Sequence, residues 1–172
     1  AITIVGKQNV SLLHCITSYP APEEEYNLNL IKNLSAVFGI PCGVSDHSLD
    51  PILVPALSIA AGGTIIEKHI TLSRKTEGLD DPVALEPEQF GFMSHTVNQA
   101  IASINHYGKD AGTRRIIDQL SEQYGKKKIQ KVLGTGIKEL APAESQNYGR
   151  TNRSLHFMKA FDKGHVISKG DI

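Results

Sequence analysis

Residues 40–69 read IPCGVSDHSLDPILVPALSIAAGGTIIEKH, and this stretch decides the fold class. Ile40 to Val44 is a short apolar run of strand length. Ser45 to Leu49 is polar and reads as a loop. Asp50 is a helix cap, with Pro51 at the first helical position. Leu53, Val54, Leu57 and Ala61 recur at helical spacing, and Gly62-Gly63 stops the helix. Thr64 to His69 is a second apolar run. A strand, a helix and a strand in so short a stretch form one crossover unit, which makes the two strands parallel.

The same unit repeats on either side. Upstream, Ser11 to Ile16 is a buried strand, broken by Pro20, Ala21 and Pro22. Glu23, Glu24 and Glu25 then suit the first turn of a helix, where negative charge meets the dipole. Leu30, Ile31, Leu34, Val37 and Phe38 supply its apolar face, and Gly39 ends it. Downstream, Thr71 to Leu85 is a long polar loop. A helix is predicted from Pro87 toward His106, with Phe90, Met93, Val97, Ile101 and Ile104 on one face. The fold class is therefore α/β with a parallel sheet. Periodicity alone is equally compatible with an open sheet and with a barrel.

Residues 107–131 turn polar, with Ile116, Ile117, Leu120 and Tyr124 placed to line a short helix. Val132-Leu133-Gly134-Thr135-Gly136 opens a stretch read as irregular through Arg153. Ser154 to Ile172 alternates short apolar pieces with Lys-Gly turns, as at the start of a small β domain. The expected division is 1–106 as three β/α units, 107–153 as insertion and linker, and 154–172 as the β segment.

Composition excludes several classes. The 172 residues carry no net charge, with 40% hydrophobic and 21% charged residues, so no nucleic-acid-binding surface is expected. Lys126-Lys127-Lys128 reads as a solvated face. Cys15 and Cys42 lie in apolar runs at no disulfide or zinc spacing, and read as buried free thiols in a reducing compartment. No apolar run is long enough to span a membrane, and Ala1 to Val10 has no secretion-signal pattern. A cytoplasmic protein is expected. The chain begins without Met, in mid-pattern, as a piece of something longer would.

Polar groups gather at the ends of the strands, where parallel α/β folds build their sites. Thr17, Ser18 and Tyr19 follow the first strand, and Ser45, Asp46 and His47 the second. Glu67 and His69 end the third, two apart and so on one face. Adjacent strands lie ~4.8 Å apart, so imidazoles at matching heights, His47 and His69, can meet one ion. Nitrogen and oxygen ligation suits manganese, iron or zinc. Glu67, or Asp80 from the following loop, is placed to hold a metal-bound water or a substrate hydroxyl. His14 lies inside its strand and reads as a hydrogen-bonded core residue. His95, His106, His156 and His165 read as surface residues.

These residues resemble a known family. Leu12-Leu13-His14-Cys15-Ile16-Thr17-Ser18-Tyr19-Pro20-Ala21-Pro22 is similar to the LLHCTxxYPTP segment of N-acetylneuraminate (sialic acid) synthases. Gly43-Val44-Ser45-Asp46-His47-Ser48 resembles their GxSDHT. Gly63 through Thr71 resembles GAxxIEKHFT, and Glu77-Gly78-Leu79-Asp80 with Leu85-Glu86-Pro87 resembles EGPD…LxP. Arg153-Ser154-Leu155 and Lys163-Gly164-His165-Val166-Ile167 resemble the junction into the family's antifreeze-like (SAF) C-terminal domain. Together the motifs cover most of the chain, in order.

The resemblance implies a (β/α)8 TIM barrel, of which this chain would hold strands six to eight. It implies condensation of phosphoenolpyruvate with N-acetylmannosamine, or a related amino sugar, to a nine-carbon sialic acid and phosphate. It implies a divalent metal, manganese or magnesium, on His47 and His69, with Glu67 orienting a water or substrate. Asp80 would bind sugar hydroxyls, and Thr17, Tyr19 and Ser45 would line the substrate pocket. A homodimer is implied for the complete protein. The chain departs from the family at Thr17, where a polar amide is common, and at Leu79, in place of a proline. Legionaminic, pseudaminic and spore-coat sugar synthases share the motifs. The rival readings are a 3-deoxy-sugar-acid phosphate synthase and a non-catalytic sugar-binding or assembly module derived from the enzyme.

Overall fold

A computed structural model describes residues 2–151 and 156–171. Strands β1 (Leu12–Cys15), β2 (Cys42–Asp46) and β3 (Ile66–Lys68) form one sheet in the order β1-β2-β3. Both pairings are parallel, with Leu12 opposite Cys42, Val44 opposite Ile66, Ser45 opposite Glu67 and Asp46 opposite Lys68. A short helix α1 (Ile2–Val5), not foreseen in the sequence, precedes β1, and helices α2 (Leu30–Phe38), α3 (Leu53–Ala60) and α4 (Pro87–Tyr107) alternate with the strands or follow them, as predicted. α5 (Lys109–Tyr124), α6 (Lys126–Leu133) and α7 (Ser145–Thr151) complete the helices of the described residues. None is long and apolar enough to cross a membrane.

Side chains alternate across the sheet, and one set faces the helices. Cys42 and Val44 of β2 join Ile31 of α2 and Leu53, Val54 and Leu57 of α3 in the core, with Leu12 and Ile66 packed against it. The helix stops and starts follow the predicted chemistry. Gly39 adopts φ 63°, ψ 36° and closes α2 by donating its N–H to Ser35 O at 2.8 Å. Asp50 Oδ1 accepts the N–H groups of Ile52 at 2.7 Å and Leu53 at 2.9 Å, capping the turn into α3. Gln89 Oε1 accepts the Glu86 N–H at 3.3 Å at the start of α4.

Three expectations are corrected. Glu23–Glu25 do not open α2; they form a 3-10 turn of their own. Asn27 at φ 50° then redirects the chain before α2 begins at Leu30. Residues 109–133 form two full helices, α5 and α6, where a polar segment with one short helix is expected over 107–131. Only a narrow stripe of each is apolar, so the composition looks polar, yet Ile116, Leu120, Ile129 and Val132 enter the main core. Lys128 is not merely solvated, since its Nζ lies 2.5 Å from Glu23 Oε2.

The glycine-rich stretch after α6 is bound by asparagines of the first half. Asn27 Oδ1 accepts the Gly136 N–H at 2.6 Å, and its Nδ2 donates to Ile137 O at 2.7 Å. Asn29 Nδ2 donates to Gly134 O at 2.9 Å and Asn33 Nδ2 to Gly136 O at 2.8 Å. A Cβ on Gly136 would lie 2.5 Å from Asn33 Nδ2. Residues 156–171 hold a 3-10 turn at Lys169–Asp171 and, among the described residues, no strand. The Arg153-Ser154-Leu155 junction lies outside the described residues.

Gly43 lies against the backbone just before β3: a Cβ there would lie 1.9 Å from Ile65 O. Gly43→Ala must push the strands apart, and is expected to destabilise the fold by about 2 kcal/mol. Equilibrium urea unfolding measures it; an unchanged midpoint would contradict the close approach.

Candidate active site at the carboxyl edge of the sheet

The face of the sheet turned away from the helices carries the polar row. Ser45 Oγ donates to Glu67 Oε1 at 2.6 Å across the register. One residue beyond the end of each strand stand His47 and His69, their ring centroids 5.3 Å apart. Tyr19, arriving from β1, stacks on His47 at 4.1 Å and meets His69 edge-on at 6.0 Å. His47 is buried at 4% exposure, whereas the His69 side chain is 33% exposed and opens toward solvent.

His47 has a defined tautomer. Its Nδ1 lies 3.0 Å from Ile16 O, a group that only accepts, so Nδ1 carries the hydrogen and Nε2 the free lone pair. This backbone-oriented imidazole is the arrangement usual for a metal ligand. His69 Nδ1 faces the Asp80 carboxylate at 3.7 Å. Leu85 donates its N–H to His69 O at 2.9 Å and Thr71 its N–H to Leu85 O at 3.0 Å, so the polar loop closes on the strand end and returns Asp80 to the site. Asp81, its neighbour, is a turn residue that accepts the Gly78 N–H at 2.9 Å and the Thr76 hydroxyl at 2.5 Å.

Of the predicted site residues, Ser45, Glu67, His47, His69, Tyr19 and Asp80 gather here. Thr17 faces a different partner. Its N–H donates to Glu144 Oε1 at 3.0 Å and its C=O accepts Asn147 Nδ2 at 3.1 Å. Burial alone would raise the pKa of Glu144, but the N–H groups of Thr17 and Ala141 hold it below the usual carboxylate value. Cys15 is half-buried rather than buried, beside Ser45, and burial raises its thiol above the ordinary value.

Sequence reasoning missed a buried ion pair directly behind the histidines. Lys68 Nζ lies 2.8 Å from Asp46 Oδ2, with side-chain exposures of 1% and 0%. One signal was available: Ser45–Glu67 and Asp46–Lys68 share the same chain separation of 22 residues, as one register requires. Tyr26 was also missed; its hydroxyl accepts the His47 N–H at 2.7 Å. Burial first, then the Asp46 carboxylate, pushes the Tyr26 phenol above its ordinary value.

A parallel α/β unit with histidines, carboxylates and a serine converging at its strand ends is the frame of a polar, ligand-binding α/β fold. Within that class the chain belongs to the NeuB family, whose model matches residues 1–109. A protein of Methanocaldococcus jannaschii is 34% identical over 97% of this chain and 41% of its own length. The N,N'-diacetyllegionaminic acid synthase of Campylobacter jejuni is 31% identical over 96% of this chain and 41% of its own. The crystal structure of the spore coat polysaccharide biosynthesis protein SpsE from Bacillus subtilis superimposes with a TM-score of 0.60 at 29% identity. That match covers 86% of this chain and 37% of the SpsE chain. The chain thus spans about two-fifths of the length of these two curated relatives, 41% in each case.

His14 lies on the helix side of the sheet, 5% exposed, its Nε2 donating to Tyr26 O at 2.5 Å. Burial, outweighing that bond, lowers its pKa below 6.5. The unfolded chain therefore binds a proton that the folded chain refuses as pH falls below about 6.5, so this contribution to stability is present above that pH and lost below it. Urea unfolding at pH 7.5 and 5.5 is expected to show a drop in stability that His14→Gln reduces; an equal drop in both proteins would contradict it.

Proposed function

We propose that this chain is part of a sialic-acid-type synthase, joining phosphoenolpyruvate to N-acetylmannosamine or a related amino sugar. The observation that carries the reading is the His47–His69 pair, with the Nε2 lone pair of His47 freed by the Nδ1–H bond to Ile16 O. The family membership and the relatives' names support the same class of reaction. The three parallel strands in chain order, with their helices packed on one face, support the reading of a TIM-barrel portion, a fold that needs on the order of 250 residues in all.

The residues fit a divalent ion as two nitrogen donors. Among the described residues no group of three or more His, Cys, Asp and Glu side chains is placed to hold an ion, so the remaining donors would have to be oxygens of water or substrate. Manganese or magnesium held by His47 and His69 would supply Lewis-acid polarisation of the sugar aldehyde. In the reaction, C3 of phosphoenolpyruvate bonds to the aldehyde carbon and water adds at C2. The C2–O bond to phosphate then breaks, releasing inorganic phosphate.

The chain's own groups order this chemistry. Glu67, held at Oε1 by the Ser45 hydroxyl, presents Oε2 to a water or a sugar hydroxyl. Asp80, with its side chain 49% exposed beside His69, is placed to accept hydrogen bonds from the sugar. Tyr19 covers the His47 ring and limits its access to water. Ser45 lines the phosphate side of the same edge, whereas Thr17 is engaged by Glu144 and Asn147.

The test is phosphate release by the full-length protein from phosphoenolpyruvate and a panel of amino sugars, with manganese. His47→Ala and His69→Ala are each expected to lower turnover about a thousandfold, as the loss of roughly 4 kcal/mol of charge stabilisation requires. Glu67→Gln is expected to cost about a hundredfold. Turnover and metal content unchanged in both histidine variants would sink the assignment and favour a non-catalytic module.

A further inference from the structure

We propose that the buried Asp46–Lys68 pair is a positioning device for the two histidines rather than a contributor to stability. It rests on His47 and His69 being the reactive pair of the function above. Asp46 and Lys68 immediately precede His47 and His69 in the chain, and they face each other across the register on the opposite side of the sheet. Every backbone handle around His47 is engaged. Its N–H goes to the Tyr26 hydroxyl at 2.7 Å, and its C=O accepts the Ala21 N–H at 3.1 Å. The Ser48 N–H goes to Asp46 Oδ1 at 2.8 Å, and the Ser48 carbonyl accepts a bond from Lys68 Nζ.

The ammonium of β3 is thereby bonded to both the last residue of β2 and the residue just beyond His47. It spans the two strand ends whose next residues carry the imidazoles. A shift of one strand end against the other has to break a charge-assisted bond between two side chains that are buried from solvent. An apolar pair of the same volume would fill the space and tolerate small shifts. A buried ion pair is poor evidence for stability, and setting register is among its best-attested roles. Positioning groups behind metal ligands typically change metal affinity tenfold to a hundredfold when removed.

The experiment uses the full-length protein and the double variant Asp46→Leu/Lys68→Met. Expected are a melting temperature within a few degrees of the parent, manganese affinity at least tenfold weaker by titration calorimetry, and a mixture of His47 tautomers. The tautomers are read in the metal-free protein from long-range 1H–15N spectra of the imidazoles, where the parent shows Nδ1–H alone. A stable double variant with unchanged affinity and an unchanged tautomer overturns the proposal. Should the double variant not fold, Asp46→Asn, which keeps the acceptor for the Ser48 N–H, is read the same way. Manganese affinity at least threefold weaker with mixed tautomers supports the proposal, and parent-like values overturn it. If the parent binds no manganese while the tautomer still changes in the variant, the metal reading fails and the positioning role stands.

Discussion

Parallel pairing of β2 with β3 in a single register is the constraint on which the site depends. Strand side chains alternate with a period of two, so one register places Ser45 beside Glu67 on one face and Asp46 beside Lys68 on the other. His47 and His69 continue the first row just past the strand ends. A slip of one residue would set polar groups against the helices and turn the core residue Val44 outward. Gly43 matters for the same reason. Its missing side chain lets the Ile65 backbone come close enough for the ladder to form, the Val44 N–H reaching Ile65 O at 3.0 Å.

The energetics of Asp46 and Lys68 explain why such a pair is tolerated. Removing two charges from water costs several kcal/mol per ion, and the mutual attraction offsets this only when remaining hydrogen-bond capacity is filled. Here it is filled: Asp46 takes the Ser48 N–H, and Lys68 reaches the Ser48 carbonyl. Among the described residues, no buried side-chain nitrogen or oxygen lacks a partner. The pair is close to neutral as a source of stability, and its consequence is geometric.

The second half of the chain seals what the first half builds. α5 and α6 add Ile116, Leu120, Ile129 and Val132 to the main core, α5 packing on α3 and α6 on α5 and the Glu23–Glu25 turn. The Asn27, Asn29 and Asn33 side chains bind the 134–137 backbone, and Glu144 with Asn147 grips Thr17, the second residue after β1. Thr17 is therefore held by a segment more than a hundred residues away, with |i−j| of 127 for the Glu144 bond. The family model's match ends near Lys109, yet this core continues through α6.

Local signals in the sequence determined the three strands, the helices α2 to α4 between and after them, their parallel arrangement and the histidine–carboxylate set at the strand ends. Those signals are short-range: apolar periodicity, Asp50 as a cap, Gly39 as a stop, and the two-residue spacing of Glu67 and His69. Only the tertiary structure decided which polar groups meet. Asp80 returns to His69 because the loop closes at Leu85, Thr17 turns to Glu144, and Asp46 finds Lys68 behind the site. α5 and α6 were underestimated because a helix with one buried stripe is polar on average. In each case the deciding interaction joins residues distant in the chain, and its strength comes from burial, which no local stretch of sequence contains.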